Sequence, residues 1–233
     1  MQGFKKLIVA LDIEDRKKIA RVIDSLYPHG AKFKIGSVAF TKFGPRLVKG
    51  LVKKGIDIFL DLKLYDIPNT MKNTAKIITE LGCWAFTVHI SAGPKALGQV
   101  REEVLSASKK LKVRKPLILG VTELTSRNTD IKKIIKLSSL AESAKIDGVI
   151  SSAFEAAQIK EKYKKLKVIT PGIRNQNQEN MDDQKRVATA SFALKNGADY
   201  IVVGRPIINE KDYVAAAKAI LSSGRTPKMK TGE

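Results

Sequence analysis

Eight short apolar runs recur along the chain, each followed by a segment with helical periodicity. No other feature limits the possible folds as sharply. The runs are Leu7–Asp12, Ala31–Gly36, Ile56–Lys63, Ala85–Ile90, Pro116–Leu124, Gly148–Ser152, Lys167–Gly172 and Tyr200–Arg205. After the first, Ile19, Val22, Ile23 and Leu26 fall at i, i+3, i+4 and i+7, one stripe of a helix. Leu47, Val48, Leu51 and Val52 repeat the pattern after the second run, and Met71, Ala75, Ile78 and Leu81 after the third. Leu97, Val100, Val104 and Leu111 follow the fourth, Ile131, Ile134 and Ile135 the fifth, and Val187, Ala190, Ser191 and Leu194 the seventh. The sixth helix, around Phe154 to Leu166, has the weakest pattern, and Val214 to Leu221 closes the series.

Strands alternating with helices through short connections predict a parallel sheet. Eight is the number that closes a (β/α)8 TIM barrel, and 233 residues suit one such α/β domain. A doubly wound open sheet is the main rival. Against it, the first run continues Ala10-Leu11-Asp12-Ile13-Glu14 with no glycine-rich dinucleotide fingerprint. No linker divides the chain. The expected organisation is one barrel domain over residues 1–221 and a polar, frayed tail over 222–233.

Composition narrows the function classes. No apolar run approaches the roughly 20 residues of a membrane span, so no membrane partner is expected. The first residues lack the apolar stretch of a signal peptide. The single cysteine, Cys83, allows no internal disulfide and sits beside Trp84 at a helix–strand junction, where a buried, inert thiol is expected. These features read as a cytoplasmic protein. The formal net charge is +20. Basic pairs such as Lys17-Lys18, Lys53-Lys54, Lys109-Lys110 and Lys164-Lys165 are spread over many segments, mostly on the polar sides of helices. With no basic arm, zinc-finger spacing or aromatic–basic RNA motif, solvated helix faces are the favoured reading and a nucleic-acid partner is not expected.

The third run carries the most unusual chemistry. As a strand, residues 56–63 put Asp57, Phe59, Asp61 and Lys63 on one face and Ile56, Ile58, Leu60 and Leu62 on the other. Asp61 and Lys63 then stand about 7 Å apart along the strand, pointing the same way. Opposite charges on an inner face are costly unless paired or used.

Polar residues also gather at the carboxyl ends of the other runs, where active sites of this fold lie. They are Asp12, Lys34 next to Gly36, Asp66, His89, Thr125, Pro171-Gly172 with Arg174, and Gly204-Arg205. The last two runs suit a phosphate: a turn at Gly204 leaves an amide free, Arg205 offers a bidentate contact, and a helix follows. The polar stretch from Arg174 to Lys185 has no period and is expected to form a lid, with Arg174 and Gln184 as further donors.

The stretch Asp61-Leu62-Lys63-Leu64-Tyr65-Asp66-Ile67-Pro68-Asn69-Thr70 resembles the signature of the orotidine 5′-phosphate decarboxylase family, which often has His where Tyr65 stands. Val9-Ala10-Leu11-Asp12, Phe33-Lys34-Ile35-Gly36, Val121-Thr122-Glu123-Leu124-Thr125-Ser126, Thr170-Pro171-Gly172-Ile173-Arg174, Asp183-Gln184-Lys185-Arg186 and Val202-Val203-Gly204-Arg205 support it in the family's order. Tyr65 is expected to point away from the charges.

The resemblance implies that orotidine 5′-monophosphate is converted to uridine 5′-monophosphate and CO2, in pyrimidine biosynthesis, without metal or other cofactor. It implies a charge network of Lys34, Asp61, Lys63 and Asp66, with Lys63 as proton donor. Asp66 and Thr70 would serve the neighbouring subunit's site in a homodimer. Asp12, Lys34 and Thr70 would bind the ribose and Thr125 the pyrimidine edge. Gln184 would bridge base and phosphate, Arg205 and the Gly204 amide would hold the phosphate, Arg174 would steady the lid or the phosphate, and Pro171 would line the substrate site. Two rivals are a Mg²⁺-dependent sugar-phosphate lyase or synthase with the same Asp-x-Lys-x-x-Asp core, and a basic nucleic-acid-binding protein on a barrel scaffold.

Overall fold

Parallel strands buried on both faces need apolar side chains in both directions, and the eight runs supply them. In the computed structural model, which describes residues 2–123, 130–174 and 187–223, they form β1 (Leu7–Ala10), β2 (Lys32–Gly36), β3 (Ile58–Leu64), β4 (Ala85–His89), β5 (Leu117–Val121), β6 (Gly148–Ile150), β7 (Lys167–Thr170) and β8 (Tyr200–Val203). Each pairs in parallel with the next, and β8 returns to β1 through Leu7↔Ile201, Ile8↔Val202 and Val9↔Val203. The sheet is therefore a closed barrel, and the open-sheet rival falls.

The helices are α1 (Arg16–Leu26), α2 (Ser37–Lys53), α3 (Pro68–Glu80), α4 (Pro94–Leu111), α5 (Ile131–Ser143), α6 (Ala156–Lys162), α7 (Ala190–Lys195), α8 (Arg205–Ile208) and α9 (Tyr213–Ser222). Their stripes are buried as the periodicity requires: Ile19, Val22, Ile23 and Leu26 in α1, and Met71, Ala75 and Ile78 in α3. Two expectations differ. Leu111 is exposed rather than part of the α4 stripe; it is the last residue of the helix, which ends at Lys112 in a left-handed conformation. Val187 lies before α7, whose start is set at Thr189, where the hydroxyl accepts the Phe192 amide hydrogen. The helix expected after Gly204-Arg205 is the short α8, distinct from α9, which closes the chain. Helix α2 is broken at Gly44, whose φ of +63° precedes Pro45.

Two cores result. Between strands and helices lies the larger one, with Val9, Phe33, Ile35, Leu60, Phe86 and Val203 among its members. Inside the barrel, Ile8, Ala10, Phe59, Trp84, Ala85, Leu119, Ile169 and Val202 pack together. The alternation expected for β3 holds: Phe59 points inward, and Ile58 and Leu60 point to the helices. Strands approach closely at Gly148, where a Cβ would stand 2.4 Å from the Lys167 carbonyl oxygen.

The amino end of the barrel is tied by a repeated device. Asp57, Asp147 and Asp199 each stand immediately before a strand. The Asp147 carboxylate accepts the Ile118 amide hydrogen at 2.8 Å and pairs with Lys115. Asp199 does the same for Val168 at 2.8 Å and pairs with Lys160 at 2.7 Å. Asp57 pairs with Lys32 at 2.7 Å and Arg114 at 2.9 Å. Lys32 also lies 4.9 Å from the centre of the Trp84 ring, and Tyr200 meets that ring edge-on. This end is packed and paired, which leaves the carboxyl end for chemistry. Among the described residues no helix is long and apolar enough to cross a membrane.

Candidate active site

The carboxyl ends of the strands enclose a cavity of about 550 Å³, within the range of small-molecule sites. Asp12, Lys34, Asp61, Lys63, Pro171, Arg174, Gly204 and Arg205 all line it. Thr125, Gln184 and most of the expected lid lie outside the described residues.

Register brings the charges together. Strand β2 pairs with β3 so that Lys34 stands beside Phe59 and Gly36 beside Asp61. Lys34 Nζ lies 3.5 Å from Asp12 Oδ1 and 3.3 Å from Asp61 Oδ2. Lys63 Nζ lies 2.9 Å from Asp61 Oδ1. The result is an alternating row, Asp12–Lys34–Asp61–Lys63, across three strand ends. Gly36 permits it: a Cβ there would be 2.6 Å from Asp12 Oδ1 and 3.0 Å from Lys34 Nζ.

Asp61 is 8% exposed. Burial works to raise its carboxyl, but the ammonium groups of Lys34 and Lys63 and hydrogen bonds from Lys63 and Thr87 outweigh it, holding the group below the usual carboxylate range. The barrel thus keeps a buried anion between two cations.

Lys63 has a left-handed backbone, with φ at +50°, a conformation that costs an L residue about 1–2 kcal/mol. The β3–β4 register shifts between Leu60 and Leu64 at the same place. The irregularity belongs to the site, as strained residues often do.

Asp66 and Thr70 are exposed and do not line their own chain's cavity. The Asp66 carboxylate accepts the Ile67 amide hydrogen at 2.6 Å, at the entrance to α3. Tyr65 is 64% exposed and does not line the cavity, and its ring packs 5.2 Å from that of His89. His89 does not line the cavity. Burial and the Lys63 charge lower its pKa, against the opposing pull of Glu123 and Asp61. Cys83 is buried, and burial pushes its thiol up to about 12, so it is the inert thiol expected.

Beyond β7, the backbone between Gly172 and Ala188 closes through two hydrogen bonds. Ala188 N–H donates to the Gly172 carbonyl at 3.1 Å and Arg174 N–H to the Ala188 carbonyl at 3.0 Å. Arg174 is buried, and its guanidinium donates to the Ile173 carbonyl at 2.9 Å. Arg205 opens α8 on the neighbouring strand, directly after Gly204.

Two polar residues of this region were not singled out from sequence. Glu123 lines the cavity and pairs with Lys133. Thr87, 1% exposed on β4, contacts both Asp61 and Lys63. Strand alternation was the available signal: Glu123 shares a face with Val121, and Thr87 with the inward Ala85.

Comparison with known proteins follows the same lines. A sequence model described as "Orotidine 5'-phosphate decarboxylase / HUMPS family" matches residues 5–220. The orotidine 5′-phosphate decarboxylase of Tolumonas auensis is 40% identical, over 87% of this chain and 90% of its own. That of Coxiella burnetii is also 40% identical, over 92% of this chain and 94% of its own. The crystal structure of orotidine 5′-phosphate decarboxylase from Lactobacillus acidophilus superposes with a TM-score of 0.79 at 32% identity, covering 92% of this chain and 96% of that one.

Proposed function

Since the chain belongs to the orotidine 5′-phosphate decarboxylase / HUMPS family, we propose that it is a carboxy-lyase converting orotidine 5′-monophosphate to uridine 5′-monophosphate and CO2. The observation that carries the reading is the alternating row Asp12–Lys34–Asp61–Lys63 at the mouth of a nucleotide-sized cavity.

The chemistry is electrostatic. Breaking the bond from carbon 6 to the carboxylate releases CO2 and leaves an electron pair in the plane of the pyrimidine ring, which the ring cannot delocalise. The Lys63 ammonium faces that carbon, stabilises the charge as it develops and then gives it a proton. The neutral amine regains its proton from solvent. Asp61, held ionised, stands near the substrate carboxylate and anchors Lys63. This mechanism is carried by the protein's own charges, with no metal or other cofactor, and turnover in the presence of a chelator tests that part of it.

Arg205, the Gly204 amide and Arg174 take the phosphate, and Gln184 bridges base and phosphate. Asp12 and Lys34 bind the ribose, Thr125 reads the pyrimidine edge, and Pro171 lines the site. Phosphate binding far from carbon 6 would drive loop closure, so that its energy serves the chemical step.

The working unit is a homodimer. Asp66 and Thr70 are exposed and do not line their own chain's cavity, and Asp66 stands between two exposed apolar side chains, Tyr65 and Ile67 at 64% and 66%. That arrangement suits burial against a second copy, with Asp66 and Thr70 completing the partner's site.

The test is the fall in orotidylate absorbance on addition of purified protein in EDTA. Turnover that survives the chelator supports the reading. No turnover, with or without Mg²⁺, contradicts it.

A further inference from the structure

We propose that Thr87 is a positioning residue for the reaction, acting through both Asp61 and Lys63. Its hydroxyl donates to Asp61 Oδ1 at 2.9 Å and accepts the backbone N–H of Lys63 at 2.8 Å. A threonine hydroxyl has one hydrogen to give and lone pairs to receive, so both bonds form at once.

The first bond fixes the carboxylate. Asp61 Oδ1 receives Thr87 and Lys63, while Oδ2 faces Lys34 at 3.3 Å. With donors on both oxygens the carboxylate plane is held, and so is the point to which the Lys63 ammonium is drawn. The second bond fixes the backbone. The β3–β4 register breaks between Leu60 and Leu64, and Lys63 stands in that break at a φ of +50°. Its N–H points to the Thr87 hydroxyl, which substitutes for the strand partner the break removes. Buried polar groups need such a partner, and Thr87 is 1% exposed. One side chain thereby sets the aim of the proton donor and of the anion beside it.

A small apolar residue would fill this position if packing were the only requirement, as Ala85 does two residues earlier on the same face. A hydroxyl is needed for orientation, and serine would supply it. Valine, close to threonine in shape, would not.

The proposal rests on the decarboxylase reading, and the experiment separates the two. Wild type, Thr87→Ser and Thr87→Val are compared for kcat and KM with orotidylate and for binding of uridine 5′-monophosphate. Misplacing reacting groups by about 1 Å costs on the order of 100-fold, so Thr87→Val should lose about that factor in kcat. Its KM and product affinity should remain close to wild type, and Thr87→Ser should retain most of the activity. A Thr87→Val enzyme as active as wild type, or a Thr87→Ser enzyme as impaired as Thr87→Val, would overturn the proposal. Should Thr87→Val fail to fold, Thr87→Ala, which relieves crowding, takes its place with the same expectations. If wild type itself does not turn over orotidylate, the functional reading has failed. The crystal structure of the folded variant then decides on positioning. Lys63 leaving its positive φ supports it, and Lys63 unmoved overturns it.

Discussion

Lys63 Nζ stands 2.9 Å from Asp61 Oδ1, two residues apart on one strand, and Lys63 itself has a left-handed backbone with φ at +50°. In a regular strand the Cβ atoms of such residues lie about 7 Å apart. The long Lys63 side chain spans that gap to reach Asp61, while the Thr87 hydroxyl takes up the Lys63 backbone hydrogen. The site is therefore a local distortion supported by an otherwise regular barrel.

If Asp66 and Thr70 complete the partner's site, two inactive chains should complement each other. Lys63→Ala and Asp66→Ala proteins, each of low activity alone, are mixed and allowed to exchange subunits. Part of the wild-type rate should return, because one site of each hybrid dimer carries intact Lys63 and intact Asp66. Shown heterodimers with no recovered activity would count against a shared site.

Gly36 should matter more to catalysis than to folding. A methyl group there would meet Asp12 Oδ1 at 2.6 Å and Lys34 Nζ at 3.0 Å, two side-chain ends that can move aside. Gly36→Ala should stay folded and lose about tenfold in kcat/KM, some 1.4 kcal/mol. Circular dichroism together with steady-state kinetics measures both. Unchanged kinetics would show that the spacing of Asp12 and Lys34 is unimportant.

Much of this was legible in the sequence, because its signals were periodic. The helix stripe Ile19, Val22, Ile23 and Leu26 and the alternation across β3 both depend on spacing alone, and both appear as expected. The convergence of Asp12, Lys34, Asp61 and Lys63 followed from placing each at a strand end. What escaped were features set by contacts between elements. Thr87 sits in an apolar run with nothing local to mark it, since its importance comes from a neighbouring strand that breaks register. Leu111 continued a helical pattern to the last residue of α4, where the chain leaves the helix and the side chain is exposed. Glu123 was visible within a motif but was not separated from its neighbours until the cavity had a shape.

His89 should make the fold sensitive to mild acid. Its folded-state pKa is depressed by burial and by Lys63, so the unfolded chain binds the proton more readily. The stability this group contributes is complete above the ordinary imidazole value of 6.5 and is lost as pH falls from there through the folded value. Thermal unfolding of wild type and His89→Gln across pH 5 to 8, a range chosen around that value, should show a shallower decline in the variant on the acidic side. Parallel curves would remove His89 from the account.

The most direct test of the central claim is the rate of orotidylate decarboxylation by Lys63→Ala beside wild type, with folding of the variant confirmed by circular dichroism. The account predicts folded protein with no detectable turnover. A Lys63→Ala enzyme that keeps more than about a tenth of the wild-type rate, a barrier change under ~1.4 kcal/mol, would contradict it.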